Sequence, residues 1–142
     1  MKKRVAVLLI AIIVILSIFA YKIYSFKIMQ RDIKIENKTY ESFLNKQVLG
    51  TDVMSIINKA ENQNKQNEVQ KDENDIYIEN DTNSIKIDVK FKELDKVIPM
   101  ESILKQGYNA FVYNFGALDF KCTKIEYHSK TNSIKYMYFE QI

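Results

Sequence analysis

The strongest hydrophobic pattern in the chain is an uninterrupted apolar run over residues 5–20, VAVLLIAIIVILSIFA. It carries no charge, its single polar side chain is Ser17, and twelve of its sixteen residues are Leu, Ile, Val or Phe. A helix needs about 20 such residues to cross a bilayer. Residues 21–26 supply the remainder because the long Lys22 side chain can reach the headgroups. The pattern therefore predicts a transmembrane anchor over residues 5–26 that contacts membrane lipid.

The flanks of this run set its expected orientation. A short basic tail, residues 1–4, favours a cytoplasmic start under the positive-inside rule, although further basic residues follow the run before Glu36. A cleavage site after Ala20 would place Ile18 where a second small residue is wanted, so we expect the anchor to be retained. We expect a single-pass protein of the cell membrane whose domain, residues 39–142, lies outside the cytoplasm.

Helical spacing continues after the anchor. Residues 27–38 predict a juxtamembrane helix or linker, which we expect to break at residues 37–39. Residues 40–48 predict a short amphipathic helix. A second helix begins at Thr51 and buries one stripe: Val53, Ile56, Ile57 and Ala60. Residues 61–75 contain one aliphatic side chain, and this predicts a loop or a frayed helix end.

The rest of the chain alternates between strand and helix patterns. Strict alternation over residues 84–91 predicts a half-buried antiparallel strand, preceded by a strand at residues 76–79. After a polar loop at residues 92–96, Pro99 and the two glycines Gly107 and Gly116 delimit two short helices, 100–106 and 108–115.

Two further strands close the pattern. The alternation over residues 118–128 slips, which predicts a bulge near Thr123 or Lys124. Residues 133–142 are apolar on both faces, as a central strand is. The sequence thus predicts an α+β domain in which amphipathic helices pack on an antiparallel sheet of at least four strands.

A five-residue segment occurs twice. Thr82-Asn83-Ser84-Ile85-Lys86 returns as residues 131–135, TNSIK, and both copies precede a predicted strand. The two interpretations are duplication of a strand-turn unit and independent use of the same turn residues. The similarity ends after five residues, and this favours the second interpretation.

Composition narrows the class of protein. The net charge of +3 is concentrated near the anchor, so the domain is close to neutral and predicts no nucleic-acid partner. One cysteine excludes an internal disulfide. Lys greatly outnumbers Arg, and Ile and Asn are common, which is typical of an AT-rich genome. We therefore expect a bacterial cell envelope protein.

Few residues offer chemistry. Cys122 and His128 are six residues apart on one predicted strand, about 20 Å, too far for a nucleophile and its base. We expect Cys122 in the core and His128 beside a turn. The acid-rich residues 71–83 lack the glycine and final glutamate of a calcium loop. We expect no catalysis, no metal site and no cofactor.

Folding can still bring two carboxylates together without leaving a trace in the sequence. The acids that test the expectation of no catalysis are Glu101, Asp119, Glu126 and Glu140. The aromatic residues offer a second open question. Many Tyr and Phe side chains fall between residues 108 and 139, and they form either an aromatic core or a docking surface.

The order of a basic start, an apolar helix, an amphipathic helix and a sheet resembles type IV pilins and pseudopilins. The resemblance is one of layout, since the glycine and glutamate that mark those proteins are absent here. It implies a structural subunit of a surface filament or secretion apparatus. Our main expectation is a membrane-anchored domain that binds or assembles with another envelope protein or with itself. A ligand-binding sensor or transport accessory domain is the other alternative.

Overall fold

A computed structural model describes residues 2–93 and 96–142, with side chains from Arg4 onward. The chain divides into two compact units, residues 1–35 and 36–142. Helix α1, Lys2–Glu41, supplies the described part of the first unit and the opening residues of the second. Its stretch Arg4–Glu41 contains an 18-residue window with a mean hydropathy of 2.7 and no buried residue. By length and composition, this helix can cross a membrane.

The expected helix break at residues 37–39 is wrong, because α1 continues to Glu41. Asn37 and Tyr40 are both buried within the second unit, so tertiary contacts outweigh the weak helix preference of asparagine. The predicted helix over residues 40–48 is also wrong. The chain turns after α1, with Asn45 at a φ of 60°, and enters strand β1, Gln47–Leu49.

Helix α2, Gly50–Gln66, begins one residue before the predicted start, and its stripe Val53, Ile56, Ile57 and Ala60 is buried as expected. Gly50 lies so close to the end of a later helix that a Cβ would stand 2.0 Å from the carbonyl oxygen of Phe115. The helix continues well into the polar segment because Asn64 is buried. The prediction of a loop or a frayed helix end is therefore wrong for residues 61–66, which belong to α2.

The sheet has five strands in the order β1-β4-β5-β2-β3. The strands besides β1 are β2 (Lys86–Lys90), β3 (Val97–Pro99), β4 (Asp119–Tyr127) and β5 (Ile134–Gln141). The prediction of at least four strands is confirmed. The prediction of a purely antiparallel sheet is wrong, because β2 pairs with β5 in parallel. In this pair Lys86 lies opposite Tyr136. The other strand pairs are antiparallel.

Several strand details follow the sequence pattern. Ile85, Ile87, Val89 and Phe91 are buried, as the alternation predicts. The register of β4 shifts between Cys122 and Lys124, where the bulge is expected, and β5 is central.

Two strand predictions differ from the structure. Residues 76–79 form no strand beyond a single bridge at Tyr77, and β3 was not predicted. In the predicted polar loop at residues 92–96, residues 94 and 95 lie outside the described residues.

Two short helices complete the second unit. Helix α3, Met100–Gln106, follows Pro99 and ends at Gly107, whose φ of 89° favours glycine. Helix α4, Tyr108–Phe115, follows directly. Buried side chains of α2, α3 and α4 join those of the sheet in one core, which includes Ile57, Ile103, Phe111, Met137 and Phe139. The helices thus cover one face of the sheet.

Candidate functional site

The four acids chosen from the sequence do not form one site. Glu101 lies in α3 and is buried. Asp119 begins β4, whereas Glu126 lies near its end and pairs with Lys124. That ion pair and its hydrogen bond hold the pKa of Glu126 below its usual value. Glu140 stands opposite Lys121 on β5. Glu101 therefore lies on α3, whereas the other three acids lie on the adjacent strands β4 and β5.

Cys122 and His128 have separate surroundings. Cys122 is fully buried in the core, and burial raises the pKa of its thiol to about 11. His128 follows β4 and is 2% exposed. Its Nε2 donates to the carbonyl oxygen of Ser84 at 2.7 Å, because a carbonyl can only accept. His128 therefore links the turn after β4 to the segment before β2, and Cys122 packs as a small side chain in the core.

The face of the sheet away from the helices, here called the outer face, is a mixture of charges and tyrosines. The strand registers place on it Lys86, Asp88, Lys90, Lys121, Lys124, Glu126, Tyr136, Tyr138 and Glu140. Opposite charges alternate across the strands, as in the row formed by Lys121, Glu140 and Lys90. Such cross-strand pairs stabilise a sheet by about 0.2–1 kcal/mol each.

Tyr136 is held in place at the centre of the outer face. Its hydroxyl donates to Asp88 Oδ2 at 3.1 Å, and Lys124 Nζ stands 5.7 Å from the centre of its ring. Burial and the negative charge of Asp88 raise the pKa of Tyr136 well above its usual value. Tyr136 therefore presents a fixed, neutral ring edge between charged neighbours.

The aromatic residues divide between core and surface. Phe91 packs against Phe111, Phe115 and Phe120 with ring centres 4.6–6.2 Å apart. Phe139 meets Phe43 edge to face at 6.1 Å. Tyr113, by contrast, is 90% exposed on α4. Between residues 108 and 139, the phenylalanines thus lie in the core or pack against it, whereas the exposed aromatic side chains are tyrosines.

Two concave regions flank α2. A polar groove of about 430 Å³ is lined by Glu36, Ser55, Asn58, Lys59, Asn62, Gln63 and Gln66. A smaller cavity of about 140 Å³, here called the Glu101 cavity, is lined by Glu61, Lys71, Asp75, Glu101, Leu104 and Lys105. The groove is lined by polar and charged side chains, whereas the lining of the cavity includes the buried Glu101.

Glu101 is only 4% exposed, and its two oxygens differ. Oε1 accepts a hydrogen bond from the backbone N–H of Tyr77 at 3.3 Å. Oε2 is buried and finds no hydrogen-bond partner among the described residues, and the same holds for the hydroxyl of Tyr77. The sequence offered no signal for this cavity, because an acid in the first turn of a helix is an ordinary surface residue.

Two buried asparagines were also missed. Asn64 binds both peptide groups of Ile85, donating to its carbonyl at 2.7 Å and accepting from its N–H at 2.8 Å. Asn37 donates to the carbonyl of Asn132 at 2.7 Å and accepts from the N–H of Ile134 at 3.0 Å. Each asparagine thus holds one copy of the TNSIK segment at the start of a central strand.

The two TNSIK copies contact each other. The hydroxyls of Thr131 and Ser133 both donate to the carbonyl of Thr82, at 2.6 and 2.8 Å. Lys130 pairs with Asp81 at 2.6 Å beside them. The repeated turn chemistry therefore brings the starts of the parallel strands β2 and β5 together.

Acids and amides of residues 71–83 stabilise turns. Asp72 Oδ1 accepts from the N–H groups of Asn74 and Ile76, and Asn80 Oδ1 accepts from those of Thr82, Asn83 and Ser84. In the part of the chain that the structure describes, no three His, Cys, Asp or Glu side chains are grouped closely enough to hold a metal ion.

Compared with known proteins, the chain matches no family model, no curated protein and no solved structure.

Proposed function

We propose that the protein is a single-span membrane protein whose domain binds or assembles with another protein of a bacterial cell envelope, without catalysis. The observation that supports a membrane anchor is the solvent exposure of the apolar side chains in the first part of α1. Its large apolar side chains over residues 5–26 are exposed, for example Leu9 at 56% and Phe19 at 60%. Exposed apolar area of this extent is costly in water and favourable in lipid.

The outer face supports the binding role. Tyr136 and Tyr138 lie at its centre among charges of both signs, and tyrosine is enriched where proteins meet. The hydrogen bond from Tyr136 to Asp88 reduces the side-chain entropy that a partner would otherwise have to restrict. The partner that fits such a surface is an envelope protein with charges and hydrogen-bonding groups of its own.

The anchor is tested by introducing charge into the apolar run. Each arginine at the centre of a spanning helix opposes insertion by about 2.5–3.5 kcal/mol. We expect the full chain to stay with membranes after alkaline carbonate extraction, and the double variant Ile12→Arg/Ile15→Arg to be released. The control, Ile12→Leu/Ile15→Leu, should behave like the original chain. Recovery of the original chain in the soluble fraction would contradict the anchor.

The binding role is tested by photo-crosslinking in the cells that make the protein. A photoreactive amino acid in place of Tyr138, on the outer face, should form a discrete crosslinked product. The same amino acid in place of Asn62, an exposed residue of α2, is the matched control. A product of twice the chain mass would identify a second copy as the partner. Absence of any product from position 138, or identical products from both positions, would exclude the outer face.

A further inference from the structure

The first three bases after the predicted anchor lie on one face of α1. Lys27, Arg31 and Lys34 are separated by four and three positions within this continuous helix. At 3.6 residues per turn, this spacing keeps their side chains within about 60° of one another around the helix axis. All three side chains are exposed. This row of Lys27, Arg31 and Lys34 is here called the basic face.

The charge of the basic face is largely uncompensated within the described part of the chain. Asp32 is the single acid in residues 27–35. Its Oδ1 stands 3.9 Å from Arg31 Nε, and both side chains are more than half exposed, so water screens this ion pair. Among the described residues, Lys27 and Lys34 form no ion pair. Like charges at these spacings repel one another along a helix, so the basic face favours a partner with negative charge.

Helix geometry places the basic face at the level of the lipid headgroups when residues 5–26 span the bilayer. This stretch rises about 33 Å, close to a hydrocarbon core of about 30 Å, and each headgroup layer adds about 5–8 Å. Lys27, Arg31 and Lys34 then lie about 2, 8 and 12 Å beyond the last spanning residue. Side chains on a helix point toward its N-terminus, which is the membrane side here. Those of Arg31 and Lys34 therefore extend back toward the headgroups.

The fixed negative charges at this level are lipid phosphates. A zwitterionic headgroup balances its phosphate with a cation of its own, whereas an anionic phospholipid keeps a net charge and attracts bases near the surface. Arginine can also bind phosphate oxygens through two of its N–H groups. Tyr24 is 65% exposed and lies about 60° from Lys27 around the helix axis. It suits the same level, because tyrosine is enriched at membrane–water interfaces.

We propose that the basic face binds the headgroups of anionic phospholipids, with Arg31 at the centre of the row and Lys27 and Lys34 on either side. This rests on the proposed membrane anchor, since insertion of residues 5–26 is what brings the basic face to the lipid. It adds a lipid class to the partners of the protein, because the apolar anchor requires only hydrocarbon and does not distinguish one headgroup from another.

The first test is native mass spectrometry of the full chain, released from nanodiscs that contain equal amounts of phosphatidylglycerol and phosphatidylcholine with the same acyl chains. Each base near an anionic surface favours binding by a factor of about 5. We therefore expect at least about fivefold more phosphatidylglycerol than phosphatidylcholine to remain bound. Soluble glycerol phosphate, which carries the phosphate without acyl chains, should not reduce this ratio. Equal retention of the two lipids, or displacement by glycerol phosphate, would overturn the proposal.

Variants locate the site. The variant that replaces all three bases of the basic face by glutamine should retain the two lipids about equally. The matched control removes three exposed lysines of the second unit and should keep the preference for phosphatidylglycerol: Lys46→Gln/Lys92→Gln/Lys96→Gln. A preference that persists without the basic face, or that is lost in the control, would overturn the proposal.

Alkaline carbonate extraction of the same proteins separates the lipid site from the anchor. The variant without the basic face should stay with the membranes, because its apolar run is unchanged. An original chain that stays embedded and shows no lipid preference would refute the lipid site alone. An original chain recovered in the soluble fraction would refute the anchor and the lipid site together.

Discussion

At the scale of single residues, the buried side-chain amide of Asn64 fixes the position at which strand β2 begins. It closes two hydrogen bonds on Ile85 at the point where the chain enters β2. Asn64→Ala would leave two buried backbone groups unpaired, so we expect a loss of about 2–4 kcal/mol in the free energy of unfolding. Urea denaturation measures it, with the exposed Asn62→Ala as control at under about 0.5 kcal/mol. Equal losses of stability at both positions would show that the hydrogen bonds of Asn64 do not hold the start of β2.

Cys122 makes a second prediction at this scale. Its side chain is fully buried, and a thiol pKa of about 11 leaves about 100-fold less thiolate near neutral pH than the ordinary value of 9.0. We expect iodoacetamide to modify the folded protein at least about 100-fold more slowly than the urea-unfolded chain. In a Cys122→Ala background, Thr123→Cys places a thiol at an exposed neighbour and should react readily. Rapid modification of native Cys122 would contradict its place in the core.

At the scale of elements, the alternation of β2 predicts unequal effects at neighbouring positions. Ile87 is fully buried, whereas Lys86 is exposed. Ile87→Ala should lower the free energy of unfolding by about 2–5 kcal/mol, as core truncations do. Lys86→Ala should change it by less than about 0.5 kcal/mol. Similar losses at the two positions, measured by urea denaturation, would mean that the faces of β2 are assigned the wrong way round.

The turns that precede β2 and β5 predict a pH effect. A hydrogen bond from Lys130 holds the pKa of Asp81 below its usual value. A carboxyl with a lowered folded pKa stabilises the fold above its unfolded pKa, about 3.9, and that contribution is lost as the pH falls through the folded value. Lys130→Ala should return the pKa of Asp81 to the ordinary range in a carboxyl NMR titration. Lys46→Ala, which removes another exposed lysine, should leave it lowered.

The elements also show which parts of the fold can be read from sequence. Pro99, Gly107 and Gly116 delimit α3 and α4 because each acts locally, and the parity slip after Cys122 locates the bulge in β4 for the same reason. Strands β1 and β3 have three residues each, too few for a period to appear. Periodicity also says nothing about which strand is the neighbour, so the parallel pair was not predicted.

The Glu101 cavity lies beyond sequence reasoning for a related reason. Its lining comes from α2, α3 and the turn at residues 71–75, which the chain brings together only on folding. Each acid in it belongs to a segment that looks solvated by itself. The same holds for Asn37 and Asn64, whose amides resemble surface residues until the backbone groups that they bind are known.

At the scale of the whole molecule, the two units differ in where their apolar side chains lie. Every buried residue of the described chain falls at Asn37 or later. We therefore expect residues 36–142 to fold without detergent, with cooperative urea unfolding and the same Asn64 effect as the full chain. Ile57→Asp in this fragment, which places a charge in the core, should abolish the transition. A fragment that aggregates or unfolds without cooperativity would show that the fold of residues 36–142 depends on residues 1–35.

The parallel pairing of β2 with β5 has a consequence for synthesis. Some 50 residues separate the partners Lys86 and Tyr136, and β5 stands between β4 and β2 in the sheet. Neither β2 nor β4 can find its central neighbour until Ile134–Gln141 has left the ribosome. Contacts of such long range form late, and the chain meanwhile exposes unpaired strand edges. The apolar residues 5–20 emerge well before that point, so insertion of the proposed anchor would precede completion of the sheet, and under that proposal the domain would complete its folding beside the membrane.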